Sequence, residues 1–516
     1  IPLLCAGCFQ MSRIKGLVQR SKNVKIFQKV SLENAYDIQE KTLRRLMLKA
    51  KHTFFGEVHR FGTILKSDFL VDAFKNEVRL VDYSGMLPWW KRLQHGEQNI
   101  TWPGKVSHFA LSSGTTDGAS KYIPITKDML RSMRRASFRQ MLSINRNDVG
   151  IDTFAKHWLM VGGSTNLEYN GVFYAGDLSG IATNKVPILF QRFSKPEPAI
   201  RYEDDWQEKI HKMTLEARNW DVGLVAGVPA WIQLLFERIM AHYQLDNIHQ
   251  MWPNFRAYAH GGVALRPYKK RFQELLGEEI KYFETYLASE GFIGFQRRMG
   301  AEVGMRLLIR NGIFFEFIPF DEKHFDGEGK LLSNVQTLNI REVQENKDYA
   351  LVMSTNAGAW RYLIGDVVQF TDLSELEIKI TGRTKHFISL CGEHLSVDNM
   401  NQAVSEIAEE FGINILEFCV FGLPYKGFFA HQWYVGLDRS FDQKETLQAA
   451  LDQRLKKLNA DYATERQAAL KGMFVKILPQ EMFINFMRKK GREGAQNKFP
   501  RVLRGEMLDD WLAFIK

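Results

Sequence analysis

The sequence predicts an α/β protein with a large N-terminal domain, residues 1–382, and a smaller α+β C-terminal domain, residues 383–516. Three observations lead there. The chain has 516 residues, more than one hydrophobic core usually supports. From about residue 150, short apolar runs ending in glycine alternate with helical patterns, as in a sheet covered by helices. Near residue 380 this alternation gives way to strands separated by longer helical stretches.

Taken in order, the first hundred residues read as mostly helical. Lys, Leu and Phe recur at helical spacing across Leu32–Lys51 and Phe69–Phe74. His157–Val161 is an apolar run closed by Gly162-Gly163, and Val222–Gly227 is another; both read as buried strands. Pro229–Tyr243 follows as a helix, with proline in the first turn, where its missing N–H costs nothing. Phe255–Ala259 reads as a strand before Gly261-Gly262, Tyr268–Leu276 as a helix and Ile280–Glu284 as a strand. Met305–Ile309 and Ile313–Ile318 flank Asn311-Gly312, a strong hairpin dipeptide, so these two runs are expected to pair. Beyond the boundary, Glu377–Thr381 and Phe387–Cys391 read as strands and Val397–Phe411 as a helix. Strands at Phe418–Phe421 and Gln432–Val435, a helical stretch Gln443–Leu470, strand Phe474–Leu478 and helix Glu481–Lys489 complete the chain.

Hydrophobic residues make up 45% of the chain and aromatics 12%, which fills large cores and excludes a disordered protein. A net charge of +10 admits a nucleic-acid partner. The basic residues are dispersed, however, apart from short runs such as Lys269-Lys-Arg271 and Arg488-Lys-Lys490. The excess therefore reads as solvated surface plus anion sites for a nucleotide and an acid, and no nucleic-acid partner is expected. Four cysteines do not make a disulfide framework at this size. Cys391 and Cys419 read as buried thiols, and Cys5-Ala-Gly-Cys8 lacks the second pair a zinc site needs. Ile1–Gln10 is apolar and without an initiator, and Met11 is a candidate start. No run of 18 apolar residues occurs, so no membrane partner and a cytoplasmic location are expected.

Chemistry concentrates first in Leu111-Ser-Ser-Gly-Thr-Thr-Asp-Gly-Ala-Ser-Lys121. Glycines let backbone N–H groups close around an anion, hydroxyls add donors and the lysine adds charge. The loop lies between apolar His108–Leu111 and extended Tyr122–Ile125, as in a hairpin that grips phosphate. It is neither a Walker A loop, whose lysine follows the second glycine directly, nor a dinucleotide fingerprint. Four further features follow it. Tyr286-Leu-Ala-Ser-Glu290-Gly291 offers an aromatic for a purine and a carboxylate for Mg²⁺. Trp360-Arg-Tyr-Leu-Ile-Gly365-Asp366 puts an acid inside an apolar strand pair, where it can accept ribose hydroxyls. Gly382-Arg383-Thr384-Lys385 places two cations at the boundary, and Asn497-Lys498-Phe-Pro-Arg501 places a mobile charge near the C-terminus. Taken singly, the Gly-Asp segment is as readily a turn, and the other three are more readily an ordinary strand end, linker or tail.

Their order says more. The set resembles the adenylate-forming superfamily of acyl-CoA synthetases, peptide-synthetase adenylation domains and luciferases. Ser-Ser-Gly-Thr-Thr, Tyr-x-x-Ser-Glu, Trp-Arg-Tyr-x-x-Gly-Asp and Asn-Lys-x-Pro-Arg are more closely similar to the Gretchen Hagen family, the auxin-responsive acyl acid amido synthetases and their microbial relatives. The hinge Gly382–Gly392 is nearer the general superfamily pattern than the plant version, which implies a non-plant member.

The resemblance implies a large adenylation domain, a small mobile C-terminal domain, and a reaction in two halves. ATP activates a carboxylic acid as an acyl-adenylate, and an amine, usually of an amino acid, then displaces AMP. Ser112, Ser113, Gly114, Thr115, Thr116 and Lys121 would hold the phosphates. Thr285 and Tyr286 would bind the nucleotide, with Tyr286 packing on adenine, and Glu290 would bind Mg²⁺. Asp366 would take the ribose hydroxyls with Arg383 nearby, Lys385 would be the hinge, and Lys498 would bridge carboxylate and α-phosphate. Tyr169, Phe173 and Tyr174 can line the acid pocket or fill the core. A monomer or weak dimer is expected. The alternatives are a thioester-forming ligase using coenzyme A and a non-catalytic nucleotide-binding homologue.

Overall fold

A computed structural model describes residues 30–112, 121–183, 191–263, 265, 268–300, 303–326, 329–333, 335–384, 387–393, 395–437, 441–490 and 499–516. The chain divides into two compact units, residues 1–111 with 122–384, and residues 112–121 with 385–516.

The first unit opens with helices. Leu32–Ala50 starts at Ser31, whose hydroxyl accepts the Asn34 N–H, and buries Leu43, Leu46 and Met47 on one face. That face also carries Gln39, a polar residue that must find partners when buried. Its amide donates to the Ile309 and Ile313 carbonyls at 2.8 and 3.0 Å and accepts the Phe315 N–H at 2.7 Å. The helix is thereby tethered across more than 250 residues of chain.

A four-stranded sheet follows, built from β1 (His108–Ser112), β2 (Lys121–Ile125), β4 (Glu168–Tyr169) and β5 (Tyr174–Gly176), in the order β2-β1-β5-β4. β1 and β2 are neighbours, as expected of strands on either side of one loop. The helix Lys127–Asn145 leaves β2 through Thr126, whose hydroxyl accepts the Met129 N–H.

Among the described residues the main sheet has eleven strands. They are β3 (His157–Val161), β6 (Ser194–Lys195), β7 (Val222–Gly227), β8 (Ala257–Gly261), β9 (Lys281–Ala288), β10 (Gly291–Gln296), β11 (Met305–Leu307), β12 (Ile313–Pro319), β13 (Asp348–Thr355), β14 (Tyr362–Asp372) and β15 (Glu377–Arg383). Their order is β12-β13-β14-β15-β11-β10-β9-β8-β7-β3-β6. From β6 to β9 the pairing is parallel, and from β9 to β12 it is antiparallel. β9 is the seam, parallel to β8 and antiparallel to β10. The antiparallel half is joined to β9 and β10 through β11 and β15, which share two residue pairs, Met305↔Ile378 and Arg306↔Glu377. Charge reinforces this short join. Arg298 bonds Glu377 and Asp372 at 2.7 and 3.0 Å, and Arg306 and Arg297 both bond Glu375.

The runs on either side of Asn311-Gly312 do not pair with each other. β11 is taken by β10 and β15, and β12 lies at the far edge against β13. Asn311 is buried and donates to the Phe292 carbonyl, and Gly312 takes φ +78°. The turn chemistry is real, but it sends the chain away from its preceding strand.

The second unit holds a two-stranded ribbon of β16 (Phe387–Ile388) and β17 (Leu395–Ser396), and a three-stranded sheet of β18 (Ile415–Tyr425), β19 (Phe428–Leu437) and β20 (Leu470–Pro479). The helix Val397–Phe411 has a reciprocal cap, Ser396 with Asn399, and ends at Gly412 with φ +59°. The stretch expected to be helical over Gln443–Leu470 is two helices, Lys444–Leu458 and Ala460–Gln467. Asn459 breaks it, because its side chain accepts the Tyr462 N–H at 2.8 Å and starts a second helix. Cys391 and Cys419 are buried free thiols. Cys5 and Cys8 lie outside the described residues, among which no helix is long and apolar enough to cross a membrane.

Candidate active site

Three chain segments meet at the seam of the main sheet. β9 delivers Thr285 and Tyr286 at its carboxyl end, where open α/β sheets place their ligands. The β9–β10 turn carries Glu290. β14 and β15 bring Asp366 and Arg383 as directly opposed residues. Gly365, just before the acid, has φ +93° inside a strand, a conformation glycine adopts without cost.

The side chains form one hydrogen-bonded and electrostatic cluster. Asp366 receives the Tyr286 hydroxyl on Oδ2 at 2.5 Å and Arg383 Nε on Oδ1 at 2.9 Å. Arg383 also donates to the Ile364 carbonyl at 3.2 Å. Glu290 accepts a hydrogen bond from the Tyr362 hydroxyl. Tyr286 and Glu290 are only 5% and 8% exposed. Burial raises the Tyr286 phenol well above its ordinary pKa, and the Asp366 charge adds to this. Burial and then Glu290 do the same to Tyr362. Both phenols therefore stay protonated and act as donors. Burial works against the Arg383 charge, but Asp366, with Tyr286, Glu290 and Tyr362 adding to it, overcomes this and holds the guanidinium above its usual range. The result is two carboxylates, each aimed by a neutral phenol, one of them also held by an arginine.

Behind the cluster, Gln140 on the Lys127–Asn145 helix donates to the Thr285 hydroxyl at 2.6 Å. Next to Tyr362, Arg361 has φ +44° and is buried. It forks onto Glu316, with Nη2 to Oε1 at 2.9 Å and Nε to Oε2 at 3.2 Å. It also donates to the Lys75 and Val78 carbonyls, both at 2.8 Å. Arg361, Tyr362, Glu316 and Gln140 had no assigned role in the sequence reading. Tyr362 and Arg361 were visible as part of the Gly-Asp segment, whereas nothing local marked Gln140 or Glu316.

Of the residues expected to bind nucleotide or metal, Thr285, Tyr286, Glu290, Asp366 and Arg383 lie in this cluster. Ser112 closes β1 and Lys121 opens β2, both half-buried. Ser113, Gly114, Thr115, Thr116, Lys385 and Lys498 lie outside the described residues. The three aromatics considered for an acid pocket separate. Phe173 is core, packed on Phe109 with ring centroids 4.6 Å apart. Tyr169 and Tyr174 are exposed and lie against each other at 4.7 Å.

Residues 24–161 match the GH3 family N-terminal domain, 306–383 the GH3 family central domain and 398–506 the GH3 family C-terminal domain. Among curated relatives, a jasmonoyl–L-amino acid synthetase, JAR4 of Nicotiana attenuata, is 25% identical over 401 residues, covering 66% of this chain and 67% of the relative. An indole-3-acetic acid-amido synthetase, GH3.2 of Arabidopsis thaliana, is 22% identical over 480 residues, covering 79% and 85%. Among solved structures, the GH3.15 acyl acid amido synthetase superposes with a TM-score of 0.56 at 16% identity, covering 93% of this chain and 94% of that one. A 2-hydroxyisobutyryl-CoA ligase in complex with 2-HIB-AMP and CoA gives 0.60 at 14%, covering 93% and 92%. At these identities the two structures share the fold.

Proposed function

The chain belongs to the GH3 (Gretchen Hagen) family, and from that premise we propose that it is an ATP-dependent acyl acid amido synthetase. The observation that carries the proposal is the pairing of Asp366 and Glu290 with neutral phenols in one cluster at the end of β9. Such pairing presets two acceptors of fixed position, one suited to a diol and one to a cation.

In the first half-reaction an oxygen of the acid's carboxylate attacks the α-phosphorus of ATP, the bond to the β-phosphate breaks, and pyrophosphate leaves. Asp366 would accept the ribose hydroxyls while Tyr286 and Arg383 keep its carboxylate from turning. Ser112, Ser113, Gly114, Thr115, Thr116 and Lys121 would surround the leaving phosphates. Lys498 would lie between carboxylate and α-phosphate, contributing charge and position. Glu290 would hold Mg²⁺. One carboxylate suffices, since this ion takes one or two and fills its shell with phosphate oxygens and water. When bound, the ion neutralises phosphate charge. In the second half-reaction the amine nitrogen attacks the acyl carbon, the bond to AMP breaks, and the amine's proton leaves. The smaller domain, residues 383–516, would turn about Lys385 between the halves, in a cytoplasmic monomer or weak dimer.

ATP–pyrophosphate exchange across a panel of carboxylic acids tests the first half. Product mass with amino acids or with coenzyme A then separates amide from thioester formation. Exchange with no acid in the panel would refute adenylation of these acids by the protein, and a coenzyme A thioester as sole product would refute the amide.

A further inference from the structure

The basic residues that look dispersed along the chain converge in the fold. On the helix Lys127–Asn145, Arg131, Arg134 and Arg135 follow one another at spacings that place them on one stripe. Arg45 and Lys49, one turn apart on the helix Leu32–Ala50, face the same space. Arg310 reaches it from the turn before β12. The cavity they line has a volume of about 640 Å³, the size of a small-molecule site.

The cations outnumber the local acid. Asp128, the carboxylate lining this cavity among the described residues, already receives Lys49 at 2.5 Å, Arg131 at 3.0 Å and the Trp102 indole at 2.9 Å. Arg135 is spent on the Ser132 hydroxyl. Among the described residues no acidic partner meets Arg45, Arg134 or Arg310. Gathering like charges at these spacings is destabilising. An anion seated here would relieve all of these interactions together.

We propose that this cavity binds a small, multiply phosphorylated anion, at a site separate from the nucleotide cluster. Guanidinium forks match phosphate oxygens in pairs. The walls discriminate among anions. Trp102 and Leu46, its large apolar lining residues, are 2% and 4% exposed, so no open aromatic face invites a stacked base. The site is concave, so a compact ligand with phosphates on several sides fills it better than an extended strand. None of its lining residues belongs to the Tyr286, Glu290, Asp366 and Arg383 group.

The test is calorimetric titration of the full chain with inositol hexakisphosphate at physiological salt, with AMP saturating. Three proteins are compared: wild type, Arg135→Ala/Arg310→Ala, and Asp366→Ala as a control that impairs the nucleotide cluster alone. We expect one saturable site in wild type and in Asp366→Ala. The double variant should bind about 100-fold more weakly, roughly tenfold per lost arginine, and orthophosphate should bind wild type at least as weakly. Both arginines are exposed, so the melt should be unchanged; Arg134→Glu is the second reading and should also weaken binding. Vesicles bearing the phosphorylated inositol headgroup form a parallel arm. Retention on them that the double variant loses assigns the same chemistry to a lipid source. Absence of saturable binding in both arms overturns the proposal. So does binding that survives the double variant or disappears in Asp366→Ala.

Discussion

Tyr286→Phe separates the two things that residue can do. The ring is retained, so the packing against a base proposed for it is unaffected. What is lost is one hydroxyl, placed 2.5 Å from Asp366 Oδ2. The opposite oxygen keeps Arg383 at 2.9 Å, so the carboxylate is held at one end and loose at the other. A hydrogen bond to an ionised acceptor contributes about 1.5–3 kcal/mol, which corresponds to about 10- to 150-fold in an equilibrium or rate constant. The loss should fall on kcat/KM for ATP in pyrophosphate exchange. If the aimed carboxylate grips ribose equally before and during reaction, KM rises and kcat holds. If the aim matters most at the transition state, kcat falls. Stability should change little, since the ring stays buried; Tyr286→Ala, by contrast, should cost about 3–5 kcal/mol as an aromatic truncated in a core. Exchange kinetics of Tyr286→Phe within twofold of wild type would refute the idea that the phenol orients Asp366, and would leave the ring as the contributing part.

The other expectations are briefer. Glu316→Ala strands the buried Arg361 guanidinium and should destabilise the large unit by about 3–5 kcal/mol in urea; a loss under about 1 kcal/mol would contradict the pairing described. Glu290→Gln should raise the Mg²⁺ concentration for half-maximal exchange about tenfold or more, and an unchanged Mg²⁺ dependence would remove Glu290 from the metal site. Lys498→Ala should lower adenylation by roughly 10²–10³, as loss of a transition-state donor does, and full activity would end that assignment. Burial pushes the Glu393 carboxyl up, but His431, 2.8 Å away, and the Cys391 N–H overcome it and hold its pKa down to about 2. A depressed carboxyl contributes stability that is complete above the unfolded pKa of about 4.3 and lost as pH falls towards the folded value. Glu393→Gln should therefore unfold at lower urea than wild type at pH 6, with the gap closing between about pH 4.5 and 2; a gap independent of pH would refute the coupling.

Local chemistry made much of the fold readable. Pro229–Tyr243, Val397–Phe411 and Glu481–Lys489 have the bounds their periodicity implies, because proline at the start, Ser396 with Asn399, and Gly412 are signals contained within a few residues. His157–Val161 and Val222–Gly227 are likewise the runs they looked like. Where the outcome depended on distant partners, reading along the chain failed. Asn311-Gly312 turns the chain, but only the competition of β10 and β15 for β11 decides that no hairpin forms. The site divides in the same way. Tyr286, Glu290, Asp366 and Arg383 stood out through resemblance and motif order, while Gln140 meets Thr285 across 145 positions with no local mark. The arginines at 45, 131, 134, 135 and 310 seemed scattered because three segments had to fold before they shared a cavity.

The two-pair ladder between β11 and β15 also sets an order of assembly. By the time residue 296 has been made, the parallel strands and β10 have all their partners but one, and Tyr286 and Glu290 are in place. β11 then offers an open edge until residues 377 and 378 arrive to close it. Pairing over such a chain distance is slow, and an uncovered edge invites intermolecular strands. Asp366 and Arg383 reach their partners only with that closure. A ribosome stalled, or a protease cutting, between residues 308 and 376 would thus leave a chain with half of the nucleotide contacts proposed for it and a sticky rim. Competence to bind nucleotide becomes a late report that the large unit has been completed.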